Sequence, residues 1–209
     1  MHQNVILRAE GELFEALFSF SSKPTFDHAF NCFTNEKVQR CTITLAELSR
    51  QYALEVDRER SRTKEKPINY RHFYVGGVGI GLVPAKRSKR RYDWWAFSAF
   101  NTKSSQRAEK YCAEMRIMRA ARAVSCACIG SIAVIGERQS DGRSGVIRPI
   151  GLDPCEACRD CMRKPENRMM FAAKTRILTG QPLAQHHSIE TIPQMMAAHK
   201  EVWPKLKPA

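Results

Sequence analysis

The sequence of 209 residues predicts an α/β protein with a mainly helical N-terminal part. Two observations support this class. In the first third of the chain, apolar side chains recur at helical spacing between acidic residues, a pattern typical of amphipathic helices. From residue 72 onward, short β-rich apolar runs alternate with stretches of strong helix formers, in the order β-β-α-β-α-β-α. The sequence therefore predicts a mixed sheet of at least four strands with helices packed against it.

The helical N-terminal part is predicted to end before the first strand. We expect residues 1–69 to form a helical accessory region and residues 70–209 to form the main domain. One helix is predicted within residues 42–56, with Thr44 as its N-cap, because Glu47 follows three residues later as in a capping box. The polar, mixed-charge stretch RERSRTKEKP comes next and ends in a proline, which favours a linker at this boundary.

Four apolar segments of the main domain predict strands. Residues 72–83 and 92–100 are rich in β-formers and flank the basic sequence PAKRSKRR, which predicts a hairpin with a basic tip. Residues 128–137 form a short apolar run suited to a buried strand, and residues 175–179 are typical of a further strand.

The helices of the main domain are predicted from their start signals. The first should begin near Ser104 or Ser105, where strong helix formers start. The second has Asp153 as a natural N-cap and Pro154 at its first helical position. The last should open at Ser188.

The composition excludes several classes of protein. Hydrophobic residues make up 43% and charged residues 26%, which excludes bulk disorder. We expect no membrane association, because no run of eighteen apolar residues occurs. The N-terminus lacks the features of a secretory signal, so a cytoplasmic location is expected. Eight cysteines in such a chain indicate metal binding or catalysis rather than a disulfide scaffold.

The net charge of +13 is unevenly distributed. Residues 1–57 carry five basic and eight acidic side chains, whereas residues 58–111 carry fourteen and four, and residues 112–209 carry fifteen and nine. The basic excess therefore lies in the main domain, where it would concentrate anionic partners. A charge that only keeps the protein soluble is the alternative interpretation.

Two short segments carry metal-ligating side chains. The first is Cys112-Ala113-Glu114, and the second, Pro154-Cys155-Glu156-Ala157-Cys158, lies at a predicted helix start. Two cysteines three residues apart on a helix share one face, and this spacing is common in zinc sites. With Cys112 as a third ligand, the zinc would keep one position for water, as catalytic sites do. A carboxylate beside that water, here Glu114, can transfer its proton.

These two segments resemble the signature [HC]-x-E … P-C-x-x-C of the cytidine-deaminase superfamily of zinc hydrolases. The resemblance covers about residues 70–203 and implies a three-layer α/β/α sandwich with a central mixed β-sheet, preceded here by the helical extension. It also implies that Cys112, Cys155 and Cys158 bind Zn²⁺ and that Glu114 is the proton shuttle.

Further residues resemble the substrate-binding segments of the nucleoside deaminases in this superfamily. Phe73 opens a sequence, FYVGG, similar to their F-x-V-G-A strand, and Asn101 matches the asparagine of their G-x-N-x-E segment. Lys103 stands where the acidic residue of that segment is expected, and a cation there would suit a phosphate. Trp94 and Trp95 are adjacent on a strand and face opposite sides, so we expect one in the core and the other, Trp95, either to stack on a base or to lie partly exposed at the surface.

The resemblance thus implies a hydrolytic deaminase that converts cytosine to uracil, with a zinc-bound hydroxide as nucleophile. Cytidine, deoxycytidine, a cytosine nucleotide or single-stranded DNA or RNA would be its substrate. One alternative is a non-catalytic, zinc-stabilised nucleic-acid-binding module, and another is a deaminase of a different aminated base or nucleoside analogue. The sequence leaves the oligomeric state open, a homo-oligomer included.

Other cysteines and arginines leave further interpretations open. Cys161 continues the C-x-x-C spacing and would complete a closed four-cysteine zinc site, or it packs in the core. Cys32, Cys41 and His28 could form a second metal site in the N-terminal region. Three arginines spaced three apart on the catalytic helix form a stripe that could face nucleic acid, an acidic subunit or water; they are Arg116, Arg119 and Arg122.

Overall fold

The computed structural model describes residues 2–69, 73–86, 91–103, 110–136, 154–181 and 187–203. The helices in this part of the chain are α1 (His2–Phe20), α2 (Phe26–Asn31), α3 (Glu36–Arg62), α4 (Ala113–Ala123), α5 (Glu156–Arg163), α6 (Pro165–Arg168) and α7 (Ile192–Ala198), with a 3-10 turn at Cys32–Thr34. The strands are β1 (Val75–Pro84), β2 (Tyr92–Phe100), β3 (Thr102–Lys103), β4 (Lys110–Tyr111), β5 (Cys128–Gly136), β6 (Arg176–Gly180) and β7 (Ser188–Thr191).

Five of these strands form one mixed sheet in the order β2-β1-β5-β6-β7. The strands β1 and β2 pair as the predicted antiparallel hairpin, with Gly77 opposite Ala99. The pairs β1–β5 and β6–β7 are also antiparallel, whereas β5 and β6 run parallel. All nine residues of β5 are buried because this strand is central and has helices on both faces.

Helices cover both faces of the sheet and create two separate cores. The side chains of β1 alternate, so Val78, Ile80 and Leu82 face a core shared with α1, α2 and α3. The opposite face packs against α4, α5 and α7, which contribute Ile117, Met162 and other apolar residues. The predicted α/β/α sandwich with a central mixed sheet and a helical N-terminal part is therefore confirmed.

The N-terminal helices lie directly on the sheet. A Cβ atom at Gly76 of β1 would lie 1.9 Å from the carbonyl oxygen of Ala46 in α3, so only glycine allows this approach. The predicted boundary between residues 69 and 70 falls in the connection from α3 to β1, and the elements on its two sides bury one common core.

Several predicted element boundaries were wrong. Helix α3 is 27 residues long and begins at Glu36, because Asn35 rather than Thr44 caps it: the Asn35 side chain accepts a hydrogen bond from the Val38 amide. Helix α4 begins only at Ala113, since Lys110–Tyr111 pairs with Thr102–Lys103 as a short strand. Ser104 and Ser105 lie outside the described residues.

The last predicted helix is in fact a strand followed by a short helix. Ser188–Thr191 forms β7 at the edge of the sheet, and the helix starts at Ile192. The Thr191 side chain and Gln194 form a capping box, and Pro193 occupies the first turn, where its missing N–H costs nothing. No helix in the described part of the chain is both long and apolar enough to cross a membrane.

Candidate metal centre and active site

Two of the three predicted ligands sit at helix N-termini. Cys112 is the N-cap of α4 and Cys155 is the N-cap of α5, both with extended backbone. The predicted start of the second helix was therefore wrong by two residues, since Cys155 takes the capping position expected for Asp153, which lies outside the described residues. Neither cysteine side chain caps its own helix. Cys158 lies one turn into α5 and is buried.

The three sulfur atoms converge. The Sγ atom of Cys155 lies 3.5 Å from that of Cys112 and 3.5 Å from that of Cys158, and all three lie within 4.8 Å of one another. Three thiolates bound to one tetrahedral zinc at about 2.3 Å would be about 3.8 Å apart. The spacing and the soft sulfur donors therefore fit a zinc ion.

The charge state of the cluster centres on Cys155. Hydrogen bonds from the Cys112 and Cys158 thiols, with the amides at the start of α5, lower the pKa of Cys155 to about 2. Because Cys112 donates to Cys155, its own pKa is raised to about 12. The pKa of Cys158 is raised by its hydrogen bond with Cys112 and then by its hydrogen bond with Cys155. Cys155 is therefore the sulfur that most favours the thiolate form, and ionising all three sulfurs requires a positive charge among them.

Glu114 lies beside this cluster in the first turn of α4. Its side chain is buried, and the burial raises the pKa of its carboxyl group to about 7. A side-chain hydrogen bond with Cys158 acts in the opposite direction and links the carboxyl group to the cysteines. A carboxyl group with a pKa near neutrality can both accept and donate a proton at physiological pH.

Asn101 and Phe73 lie together at the end of the β1–β2 hairpin. The Asn101 Oδ1 atom accepts a hydrogen bond of 2.8 Å from the Val75 amide, and its Nδ2 donates one of 2.8 Å to the Phe73 carbonyl oxygen. The short β3–β4 pair connects Asn101 to Cys112. Lys103 is the second residue of β3, opposite Lys110, and its side chain lies outside the described part of the structure.

Two solved structures are similar to this chain. One is a cytidine deaminase from Burkholderia pseudomallei, with 18% identity, a TM-score of 0.41, and coverage of 70% of this chain and 94% of that one. The other is a cytidine deaminase from Mycobacterium leprae, with 16% identity, a TM-score of 0.40, and coverage of 72% and 95%. No protein-family model matches the chain, and no curated protein sequence does.

Trp95 lies far from the cysteine cluster. It lies opposite Gly81 of β1, on the face of the sheet that carries α4. Ala113, the residue after Cys112, packs against Gly77 of the same strand. Gly77 and Gly81 are four residues apart, which corresponds to about 13 Å along the strand. The two tryptophans do alternate as predicted, because Trp94 is buried in the helical core and Trp95 is exposed. The structure does not bring Trp95 to the cluster.

The other cysteines do not extend the site. Among the described residues, one group of metal-ligating side chains is close enough to hold an ion, and Cys161 is not part of it. Cys161 packs against the core and accepts a hydrogen bond from Asn167. Cys32 is buried, and its thiol donates a hydrogen bond to the Ser131 hydroxyl. The His28 ring is hydrogen-bonded to Thr25, the N-cap of α2. Neither residue is therefore available to a second metal site.

The three arginines of the predicted stripe have different surroundings. The Arg116 guanidinium lies 4.7 Å from the centre of the Phe100 ring and donates to the Phe100 carbonyl, whereas that of Arg119 lies 4.1 Å from the centre of the Tyr111 ring, next to Cys112. Arg122 is exposed. Arg116 also lines a cavity of about 370 Å³ beside β2, together with Tyr52, and the cluster cysteines do not border this cavity.

The sequence alone did not identify a buried carboxylate that supports the Asn101 region. Asp57 of α3 accepts hydrogen bonds from the Asn69 amide and the Tyr74 hydroxyl, both 3.0 Å long. The Asn69 side chain in turn donates to the Phe73 carbonyl. An acid near the end of an amphipathic helix gives no sequence signal, because its partners follow 12 and 17 residues later.

Proposed function

We propose that this chain is a zinc-dependent hydrolytic deaminase that converts cytosine to uracil. One observation carries the proposal: three cysteine sulfurs from two helix N-termini converge within 4.8 Å, and the buried carboxyl group of Glu114 contacts one of them. Three protein ligands leave one zinc position for a water molecule, which is the arrangement of catalytic rather than structural sites.

The residues would divide the reaction between them. Cys112, Cys155 and Cys158 would hold the zinc, which when bound lowers the pKa of a coordinated water towards about 7. Glu114 would accept a proton from the attacking water and deliver it to the ring nitrogen N3, and then assist protonation of the departing amine. The water oxygen adds to C4, and the bond from C4 to the exocyclic amine nitrogen breaks. Cytosine and water thus give uracil and ammonia.

The substrate is proposed to carry a phosphate. Lys103 follows Asn101 closely on the path to Cys112, and Arg119 lies over the ring of Tyr111, the residue before this ligand. Lys103 lies on the segment that leads into the site, and Arg119 lies in α4, the helix that follows Cys112. Both are cations, and the charge excess of residues 58–111 has the same sign. A cytosine nucleotide or single-stranded nucleic acid suits these groups better than a free nucleoside.

The activity is tested by measuring ammonia release from cytidine, dCMP, single-stranded DNA and RNA. We expect turnover with at least one of them, and Glu114→Gln should reduce it at least about 100-fold while the protein keeps its zinc, because only the proton transfer is lost. Unchanged turnover in this variant would contradict the proposed role. A zinc-bound wild-type chain that binds nucleic acid and releases no ammonia would be a binding module.

The metal site is tested by elemental analysis of the purified protein. We expect about one zinc per chain in the wild type and its loss in Cys155→Ser, because serine is a poor zinc ligand. Cys161→Ser is the matched control, three residues beyond Cys158 on the same helix and outside the cluster, and should keep the metal. An iron–sulfur absorption spectrum, or zinc retained in Cys155→Ser, would contradict the assignment.

The phosphate preference is tested by measuring activity at increasing salt concentration. Activity on a polynucleotide should fall steeply between about 50 and 200 mM salt, because counterions compete with the basic side chains. Activity on free cytidine that is higher and insensitive to salt would show that the substrate carries no phosphate chain.

A further inference from the structure

We infer that Arg159 and Glu201 are positioning residues that fix the metal ligand Cys155. The inference rests on the proposed zinc site and does not depend on which base is the substrate. Neither residue belongs to the cysteine and glutamate pattern. Arg159 acts through the backbone that leads into the ligand, and Glu201 acts through Arg159.

The Arg159 side chain is buried and joins two parts of the molecule. Its Nη1 donates a hydrogen bond of 2.7 Å to the carbonyl oxygen of Pro154, the residue before Cys155. Its Nε and Nη2 donate bonds of 3.0 and 2.8 Å to Oε1 of Glu201. Residue 159 is 8% exposed, so these contacts are made with little competition from water.

The contact with Pro154 matters because the helix itself does not hold this carbonyl group. The first intrahelical bond of α5 runs from the Arg159 amide to the Cys155 carbonyl, one residue later. A buried carbonyl oxygen needs a donor, and Arg159 supplies it from within the helix. Arg159 therefore bonds the carbonyl groups on both sides of the Cys155 Cα atom, and so fixes the position from which the Cys155 side chain extends to the cluster.

Glu201 connects this arrangement to the core. It follows α7, its amide donates to the Met196 carbonyl at 2.9 Å, and both Met195 and Met196 are buried. Its second oxygen, Oε2, lies 2.9 Å from Nη1 of Arg163. The carboxylate thus holds Arg159 at a fixed place relative to the sheet, although 42 residues separate them in the chain.

The proposed effect is geometric and can be separated from the effect of charge. Arg159 and Arg163 carry the same charge, belong to the same helix and contact the same carboxylate. Only Arg159 reaches the Pro154 carbonyl. Arg163→Gln is therefore a matched control for Arg159→Gln.

The test is zinc affinity of the full chain, measured by competition with a chromophoric chelator. Arg159→Gln should weaken zinc binding about 10- to 100-fold, as loss of outer-sphere partners does in other metal sites. Arg163→Gln should change it less than about 3-fold. Arg159→Lys should fall between wild type and Arg159→Gln, because one ammonium cannot bond both partners as a guanidinium does.

Cobalt supplies a second readout that a purely structural role would not change. The thiolate-to-cobalt absorption of the Co²⁺-loaded chain reports ligand geometry, and we expect it to shift in Arg159→Gln and to match wild type in Arg163→Gln. If Arg159→Gln does not fold, Glu201→Gln replaces it, because this variant removes the carboxylate that holds Arg159 against the Pro154 carbonyl, and its zinc affinity should fall as well.

The outcomes separate the two proposals. Wild-type zinc affinity in both Arg159→Gln and Glu201→Gln, or equal losses in Arg159→Gln and Arg163→Gln, would overturn the positioning role and leave the proposed function standing. A wild-type chain that binds no zinc would overturn the metal site, and the positioning role with it.

Discussion

Cys155 owes its chemistry to its place at the start of a helix. An N-cap residue usually bonds a helix amide through a side-chain oxygen. Here the capping side chain is a thiol that makes no such bond and lies 3.5 Å from two other cysteine sulfurs. The nearby helix amides and the two thiol donors favour its anion, which is the form that binds metal. One residue therefore serves as helix start, charge centre and proposed ligand.

Glu201 provides a pH-dependent contribution to stability. Hydrogen bonds from Arg159 lower the pKa of its carboxyl group from the usual 4.5, so the folded state favours the ionised form. The contribution is fully present above the usual pKa and is lost as the pH falls through the lowered value. The difference in free energy of unfolding between wild type and Glu201→Gln should therefore be larger at about pH 6 than at about pH 3.

This difference is measured by urea unfolding at both pH values. Glu12→Gln is the control, because Glu12 pairs with Arg8 on the surface, where such pairs contribute little. A difference for Glu201→Gln that is equal at the two pH values would contradict the role of the ion pair.

At the scale of elements, a row of glycines positions the helix that carries Cys112 and Glu114. Gly77 and Gly79 of β1 lie under α4, where a Cβ atom would meet Ala113 or Ile117, so the helix lies close to the strand. A Cβ atom at Gly79 would lie 2.5 Å from Cγ2 of Ile117 in α4. The fully buried Ile117 has little room to move, and α4 would be pushed away from the sheet.

Gly79→Ala should therefore lower both stability and zinc affinity. We expect a loss of about 1–3 kcal/mol in the free energy of unfolding, typical of overpacking, together with weaker zinc binding because Cys112 moves with α4. Gly11→Ala is the control, since a Cβ atom there meets nothing within 4 Å, and alanine should stabilise α1 by up to about 1 kcal/mol. Equal stability of Gly79→Ala and wild type would contradict this packing.

At the scale of the whole molecule, the N-terminal helices close one of the two cores. Val78, Ile80 and Leu82 of β1 are fully buried beneath α1–α3, together with Ile135 and Leu178 of neighbouring strands. Burying each such side chain contributes about 1.5–3 kcal/mol, and a whole domain has a net stability of only about 5–15 kcal/mol. The exposed sheet face would thus cancel the net stability of residues 70–209.

Residues 70–209 expressed alone should aggregate or stay unfolded, as judged by circular dichroism and size-exclusion chromatography. Adding residues 1–69 as a separate chain should restore part of the soluble, folded material, because it covers the same apolar face. A fragment of residues 70–209 that unfolds cooperatively as a soluble monomer would show that the helical region is a dispensable accessory.

The sequence is enough to predict the fold class, the four longer strands of the sheet and the set of candidate metal ligands. These features are local: β-rich runs identify β1, β2, β5 and β6, and the spacing of Cys155 and Cys158 is fixed by one helical turn. The strand β7 escaped prediction because it has only four residues, none of them buried. The start of α4 was misplaced because Lys110–Tyr111 pairs with Thr102–Lys103, and this pairing overrides the local preference of these two residues for a helix.

Which of these residues meet depends on how the helices and strands pack. Cys112 and Cys155 are 43 residues apart in the chain, and α4 and α5 bring their sulfur atoms to 3.5 Å. The same packing separates Trp95 from the cluster, excludes Cys161 from it and places Glu201 on Arg159. Local patterns fix periodicity and spacing, whereas contacts between distant residues depend on how whole elements pack, so no short stretch of sequence encodes them.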